Sequence, residues 1–366
     1  MKQNCLNRLT ETAGLGTAMR IRFTLGMVGR SLRGTAIVVP AAFCMFPSTG
    51  ISSDATVSIA RENVRKATKQ DDTSSRTKRL VAPPGIVIEQ DVSYLPSDRT
   101  EKLDLYYPSE RTTSTLSPAV LIIHGGGWVA GDKAGQREYV TGCALAKAGY
   151  LCASVEYMKE AGKRWPTNLS DCKNAVRWLR TNARRLQVDP DHIGVIGGSA
   201  GGHLALMVAY TSRVSELQPS TSYTKVLDNV QACVDMYGIS NLLTRQRNRK
   251  NGTPAGILTS STALFQESRD QAPEKWKLAS PITHIEKESP PTLILHGTAD
   301  TTVNLEQSRE LAQALAIQGV EHQLIEIPGA PHAFALNDKT LPRDLRPEVI
   351  AFFDQHLKPH SPVKEP

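Results

Sequence analysis

Three residues in this chain could together do nucleophilic chemistry. Ser199 stands in Gly197-Gly198-Ser199-Ala200-Gly201, Asp300 in "HGTAD", and His332 in "GAPHAF". A serine hydroxyl is a weak nucleophile until a base takes its proton, and histidine is the usual base. A carboxylate can accept the other imidazole N–H, fix the tautomer and stabilise the imidazolium. The order Ser, Asp, His is the one that accompanies a G-x-S-x-G turn. The glycines admit three readings: a flexible loop, a phosphate cradle, or a tight turn holding a nucleophile. The chain has no G-x-G-x-x-G here and no Lys-Ser/Thr after the glycines, so the phosphate reading fares badly. A strained turn needs nearly bare residues two before and two after the serine, and Gly197 and Gly201 meet that demand. A lone loop Asp or His is commonly surface decoration. All three at the ends of apolar runs, in order, argue for a site.

A fourth part is "HGGGW" at 124–128. Acyl transfer places negative charge on the former carbonyl oxygen, and backbone N–H groups stabilise it. Gly126 and Gly127 are expected to supply two such groups, and Ala200 a third. His124 is expected to brace this loop. Trp128, Tyr157 and Trp165 follow strands near the site and are expected to line the acyl or alcohol pocket, with edge packing as the alternative.

These residues need a scaffold that brings strand ends together. Residues 85–95 and 102–108 alternate apolar and polar residues, as half-buried antiparallel strands do. Residues 117–127, 150–157, 192–198, 229–238, 291–297 and 321–329 read as strands, most of them continuous apolar runs. Residues 134–149, 169–187, 200–210, 305–319 and 346–357 read as helices between and after them. Alternation of this kind predicts an α/β fold, a mostly parallel sheet covered on both faces with an antiparallel edge. The polar, turn-rich stretch 239–289 breaks the rhythm and reads as an insertion beside the site; a surface loop is the alternative.

The chain has 366 residues and a formal charge of +7. Residues 1–80 carry thirteen Lys and Arg against five Asp and Glu, so the remainder is nearly neutral. The globular part therefore offers no electrostatic footprint for nucleic acid. Arg30 and Arg33 precede an apolar run at 34–46, of signal-peptide length and short for a membrane span. Residues 1–50 read as an export leader, 51–83 as a polar linker and 84–358 as the catalytic domain. An interfacial or buried N-terminal helix is the alternative for the leader. Cys143, Cys152, Cys172 and Cys233 show no C-x-x-C spacing, which argues against zinc. Free buried thiols are expected, with one disulfide as the alternative.

Together "HGGGW", "GGSAGGHLAL", "HGTADTTV" and "PHAF" resemble the α/β-hydrolase superfamily. They are similar to bacterial esterases of the feruloyl/acetyl-xylan-esterase-like and hormone-sensitive-lipase-like kinds. The resemblance implies an α/β-hydrolase fold and hydrolysis of a small-molecule or polysaccharide ester through an acyl-Ser199 intermediate, with no cofactor and no metal. Gly198 departs from the hormone-sensitive-lipase-like pattern, which has Asp before the serine, and favours the polysaccharide-esterase-like branch. An amide hydrolase such as an arylformamidase shares the triad and stays open. A peptidase of this type usually carries a further large domain, and a non-catalytic relative usually lacks the histidine that His332 supplies here.

Overall fold

Alternate residues of the strand Ser117–Ile123 (β3) enter two different cores, as a side-chain period of two requires. Leu121 and Ile123 join one core, Val120 and Ile122 the other. β3 sits inside an eight-stranded sheet of order β1-β2-β4-β3-β5-β6-β9-β10. The remaining strands are Ile86–Ser93 (β1), Lys102–Pro108 (β2), Leu151–Val155 (β4), Val188–Gly198 (β5), Ala232–Met236 (β6), Thr292–Gly297 (β9) and His322–Ile327 (β10). β1 pairs antiparallel with β2, and β2 with β4; every other pairing in the sheet is parallel.

The computed structural model describes residues 79–111, 116–220, 223–248, 254–257 and 263–358. All lie in one compact unit, Ser75–Pro366. The leader at 1–50 and the linker up to residue 78 fall outside the described residues. No helix among the described residues is long and apolar enough to cross a membrane.

Helices cover both faces, as the continuous apolar strands demand. Gln136–Lys147 (α1) and Arg346–Leu357 (α7) pack on the face of Val120 and Ile122, through Leu145, Val349 and Phe353. Thr167–Thr181 (α2), Ala200–Tyr210 (α4) and Glu306–Gln318 (α6) pack on the other, through Val176, Leu204 and Leu311. A short helix, Ala183–Leu186 (α3), leads into β5. At the end of α6 the chain turns out through Gly319, φ 70°, a left-handed cap that glycine adopts without a Cβ clash.

Two expectations need correction. β2 is not half-buried: Leu103, Asp104, Leu105 and Tyr106 are all buried. As the second strand it is covered on both sides, and its one carboxylate, Asp104, is compensated by Lys133 Nζ at 2.7 Å. β5 starts at Val188 rather than at 192, because "DPD" hides an extension that pairs Val188 with Ser117.

The stretch 239–289 is built rather than loose where it is described. It contains an antiparallel pair, Gln246–Asn248 (β7) with Pro254–Ile257 (β8), and a helix, Pro273–Leu278 (α5). Trp276 is fully buried against Phe265, with ring centroids 5.4 Å apart.

Candidate active site

β5 ends at Gly198 and α4 begins at Ala200, so Ser199 is the whole connection. Its backbone has φ 58° and ψ −123°, a region costly for a residue with a side chain, at about 1–3 kcal/mol. The turn is held from both sides. Ser199 N–H donates to Met236 O at 2.9 Å, and His203 N–H donates to Ser199 O at 3.0 Å. A Cβ on Gly197 would stand 2.1 Å from Gly201 O, and one on Gly201 would stand 2.2 Å from Ile123 O. Strand and helix thus touch backbone to backbone, and only glycine fits at either place.

The loops after β9 and β10 bring the other two residues to the serine. His332 Nε2 lies 2.9 Å from Ser199 Oγ, and His332 Nδ1 lies 2.6 Å from Asp300 Oδ2. The Asp300 side chain is sealed from solvent, whereas His332 keeps some access. Asp300 Oδ1 accepts from the N–H groups of Thr302 and Val303, at 2.8 and 2.9 Å. Burial alone would push the Asp300 carboxyl up. Hydrogen bonds from His296 and His332, the charge of His332 and the Val303 N–H outweigh burial and hold it well below the usual carboxylate range. Geometry and ionisation both suit a carboxylate that orients an imidazole.

Beside the serine, the loop after β3 is bent where the sequence allows it. Gly126 has φ 114° and Gly127 φ 61°. A Cβ on Gly126 would stand 2.2 Å from Ala130 O. Among the described residues, none accepts a hydrogen bond from the N–H of Gly126, Gly127 or Ala200. His124 is buried behind this loop. Its ring lies 2.7 Å from Gly125 O and 2.9 Å from Glu156 Oε1, and stacks on Tyr157 at 4.3 Å. Burial opposes the Glu156 charge, but His124 and Lys159 bring its carboxyl down to about 2.

The expectation that Trp128 and Tyr157 line a substrate pocket fails. Trp128 is 2% exposed and Tyr157 0%. Their polar tips are committed to the scaffold: Tyr157 Oη–H donates to His124 O at 3.0 Å, and Trp128 Nε1–H to His203 Nδ1 at 3.3 Å. Both brace the glycine loop from behind. Trp165 differs. It is partly exposed and lies 6.3 Å, ring to ring, from His203. It also lines a cleft of about 400 Å³ with Arg164, Phe265, Gln271 and Lys275. Cys143, Cys152, Cys172 and Cys233 are all free thiols.

Several supporting residues are not singled out by the sequence reading. His296 Nε2 lies 3.3 Å from Asp300 Oδ2, while its Nδ1 lies 2.6 Å from Ser308 Oγ. Arg137 Nη1 donates to Tyr237 Oη at 3.0 Å, and Tyr237 Oη–H donates to Phe334 O at 2.8 Å. The Tyr237 ring stands edge-on to His332 at 4.9 Å. His296 could have been flagged by its place in "HGTAD". Nothing in the sequence pairs Arg137 with Tyr237, a hundred residues away.

A family model, BD-FAE, matches residues 103–315. The chain belongs to the BD-FAE family. Two curated relatives of this BD-FAE chain come from Mycobacterium tuberculosis. The probable carboxylic ester hydrolase LipM is 30% identical over 249 residues, 67% of this chain and 56% of the relative. Esterase LipQ is 31% identical over 247 residues, 67% of this chain and 57% of the relative. The chain thus spans somewhat more than half the length of these relatives. Among solved structures, the truncated form of a carbohydrate esterase from gut microbiota superposes with TM-score 0.64 at 27% identity. It covers 74% of this chain and 95% of that one. Butyrate-bound esterase 2 of Thermogutta terrifontis superposes with TM-score 0.58 at 27% identity, covering 73% and 91%. The α/β-hydrolase fold of this BD-FAE member is therefore the fold of known esterases.

Proposed function

We propose that the protein is a serine carboxylesterase that releases acetyl, hydroxycinnamoyl or other short acyl groups from small-molecule or polysaccharide esters. The observation that carries this reading is the continuous relay Ser199–His332–Asp300, with links of 2.9 and 2.6 Å. His332 Nε2 takes the Ser199 proton as Oγ bonds to the ester carbonyl carbon, and the carbonyl electron pair moves onto oxygen. The N–H groups of Gly126, Gly127 and Ala200 receive that oxyanion. Collapse breaks the bond to the alcohol oxygen, which leaves with the proton from His332. Water then attacks the acyl-serine by the same steps in reverse, giving the acid and free Ser199.

The carbohydrate esterase with the same fold supports a sugar-borne ester, and the partly exposed Trp165 beside a cleft supports a pocket for it. The apolar run 34–46 behind Arg30 and Arg33 supports export. One experiment tests the core of the reading. Phenyl acetate, methyl ferulate, acetylated xylan and N-formylaniline are offered to the wild type and to Ser199→Ala. Ester turnover that vanishes in the variant supports the assignment. Turnover of the anilide alone, or of nothing by folded protein, overturns it.

A further inference from the structure

Arg245 sits at the start of the inserted segment, just before β7, and its guanidinium lies 5.6 Å from the centre of the Trp128 ring. Trp128 directly follows the glycine loop, and its indole is bonded to His203, one helical turn beyond Ser199. Arg245 therefore stands over the group that joins the glycine loop to the nucleophile helix.

The guanidinium has no ion pair and no hydrogen bond among the described residues. Neighbouring arginines of the same region are held: Arg164 donates to Lys159 O and Ala263 O, and Arg269 donates to Leu243 O. Burial pulls the Arg245 pKa down, and no carboxylate acts against it. Arginine nonetheless keeps its charge in proteins. His203, which feels the Arg245 charge, does not relieve the situation. Burial and Arg245 together, against the hydrogen bond to Ala279 O, bring its imidazole down to about 4, so it is neutral and offers no negative charge. The residue as a whole is half-buried.

A half-buried cation without a counter-ion is unfavourable unless something compensates it. The face of Trp128 compensates in part, and it also fixes the plane of the guanidinium. Among the described residues its flat fork of N–H donors has no acceptor, and that fork is the shape that binds a carboxylate by two parallel bonds.

We propose that Arg245 is a specificity-determining residue that binds a carboxylate carried by the ester substrate, on either its acyl or its alcohol part. This rests on the esterase reading but goes beyond it, by stating that the preferred esters are anionic. The same charge draws an anionic ester to the site, and added salt weakens it.

Binding to Ser199→Ala tests the inference without needing turnover. Two pairs of probes separate the two positions of the carboxylate. Monomethyl glutarate against its primary amide reads the acyl side, and 4-acetoxybenzoate against 4-acetoxybenzamide reads the alcohol side. Calorimetry is expected to show the acid of one pair bound at least about tenfold more tightly than its amide. In the Ser199→Ala background, Arg245→Gln is expected to erase that preference, Arg245→Lys to keep part of it, and the control Arg269→Gln to keep all of it. Equal or undetectable binding of acid and amide in both pairs overturns the proposal, as does a preference that survives Arg245→Gln. Turnover by the wild type of the ester panel above and of the two anionic esters is read separately. Its absence for every one of them would overturn the esterase reading, while an acid preference that depends on Arg245 would leave the anion site standing.

Discussion

The Arg137 guanidinium occupies the space that a side chain at position 198 would need. A Cβ on Gly198 would stand 2.4 Å from Arg137 Nη1 and 3.0 Å from Tyr237 Oη. The absence of a side chain just before the nucleophile thus lets a cation sit under the turn, from where it reaches Tyr237 and, through it, the histidine loop. A flexible Arg tip can move aside, so Gly198→Ala is expected to fold. It is expected to lose about tenfold in kcat/KM as the Arg137–Tyr237 link is displaced. Gly197→Ala meets fixed backbone at 2.1 Å and cannot relax. It is expected to abolish folded, active protein. Melting curves and steady-state kinetics of the two variants distinguish these outcomes, and unchanged kinetics in Gly198→Ala would remove Arg137 from the catalytic account.

Asp300 is supported by His296 as well as by its own loop. Replacing the carboxylate by the isosteric amide leaves the wrong tautomer on His332, an effect of about 10⁴ in kcat for such a relay. Asp300→Asn is expected to show a loss of that order with little change in KM. His296→Ala removes only one of several donors around the carboxylate, so a loss of about tenfold is expected. Equal losses in the two variants would mean that His296 does more than hold Asp300.

The pH profile of kcat/KM should fall on the acid side with a single ionisation. Only a neutral imidazole can take the Ser199 proton, so protonation of His332 removes activity. Asp300 does not add a second step in that range. Its carboxyl is held well below the usual carboxylate range and is still ionised when the imidazole gains its proton. A profile that falls with two protons, or stays flat into strong acid, would contradict the assignment.

Asp235 makes a different prediction, for stability. It lies in β6 beneath the site, fully buried, and burial pushes its carboxyl up to about 7 against the charge of His296. An unfolded Asp titrates at about 3.9. Between these values the folded state binds the extra proton, so the contribution of Asp235 to stability falls as pH rises from about 4 to about 7. Asp235→Asn cannot ionise. The melting temperature of the variant relative to the wild type is therefore expected to rise by several degrees across that interval and to level off above it. A gap independent of pH would show that Asp235 is not titrating there.

Trp128 and Trp165 should separate cleanly. Trp128→Ala opens a cavity behind the glycine loop and is expected to destabilise the fold by about 3–5 kcal/mol. Trp165→Ala is expected to leave stability nearly unchanged and to raise KM for feruloyl or sugar esters several-fold more than for phenyl acetate. A KM effect from Trp128 without loss of stability would reverse this division.

What was readable in the sequence followed from local necessity. Gly197 and Gly201 have to be small because strand and helix meet there. Continuous apolar runs have to lie in a sheet covered twice, so β3, β5, β6 and β9 are legible as strands. What was missed depended on contacts between distant segments. Asp104 made β2 look half-exposed, because its partner Lys133 belongs to another segment. Trp128 and Tyr157 follow strands, but nothing local indicates whether a ring faces inward or outward. Arg245 reads as one charge among many in "TRQRNRK" until the fold sets its guanidinium over the Trp128 ring.

The sheet order also has a consequence in time. The turn at Ser199 leaves β5, the glycine loop leaves β3 on one side of it, and the acid and base loops leave β9 and β10 on the other side. Ser199 and His332 meet across 133 residues, and neither has a working partner until β6, β9 and β10 are all in place. Contacts of such long range form late, because the chain between them must be ordered first. Recovered turnover during refolding is thus a clock for the completed sheet, and it should trail the return of helix signal.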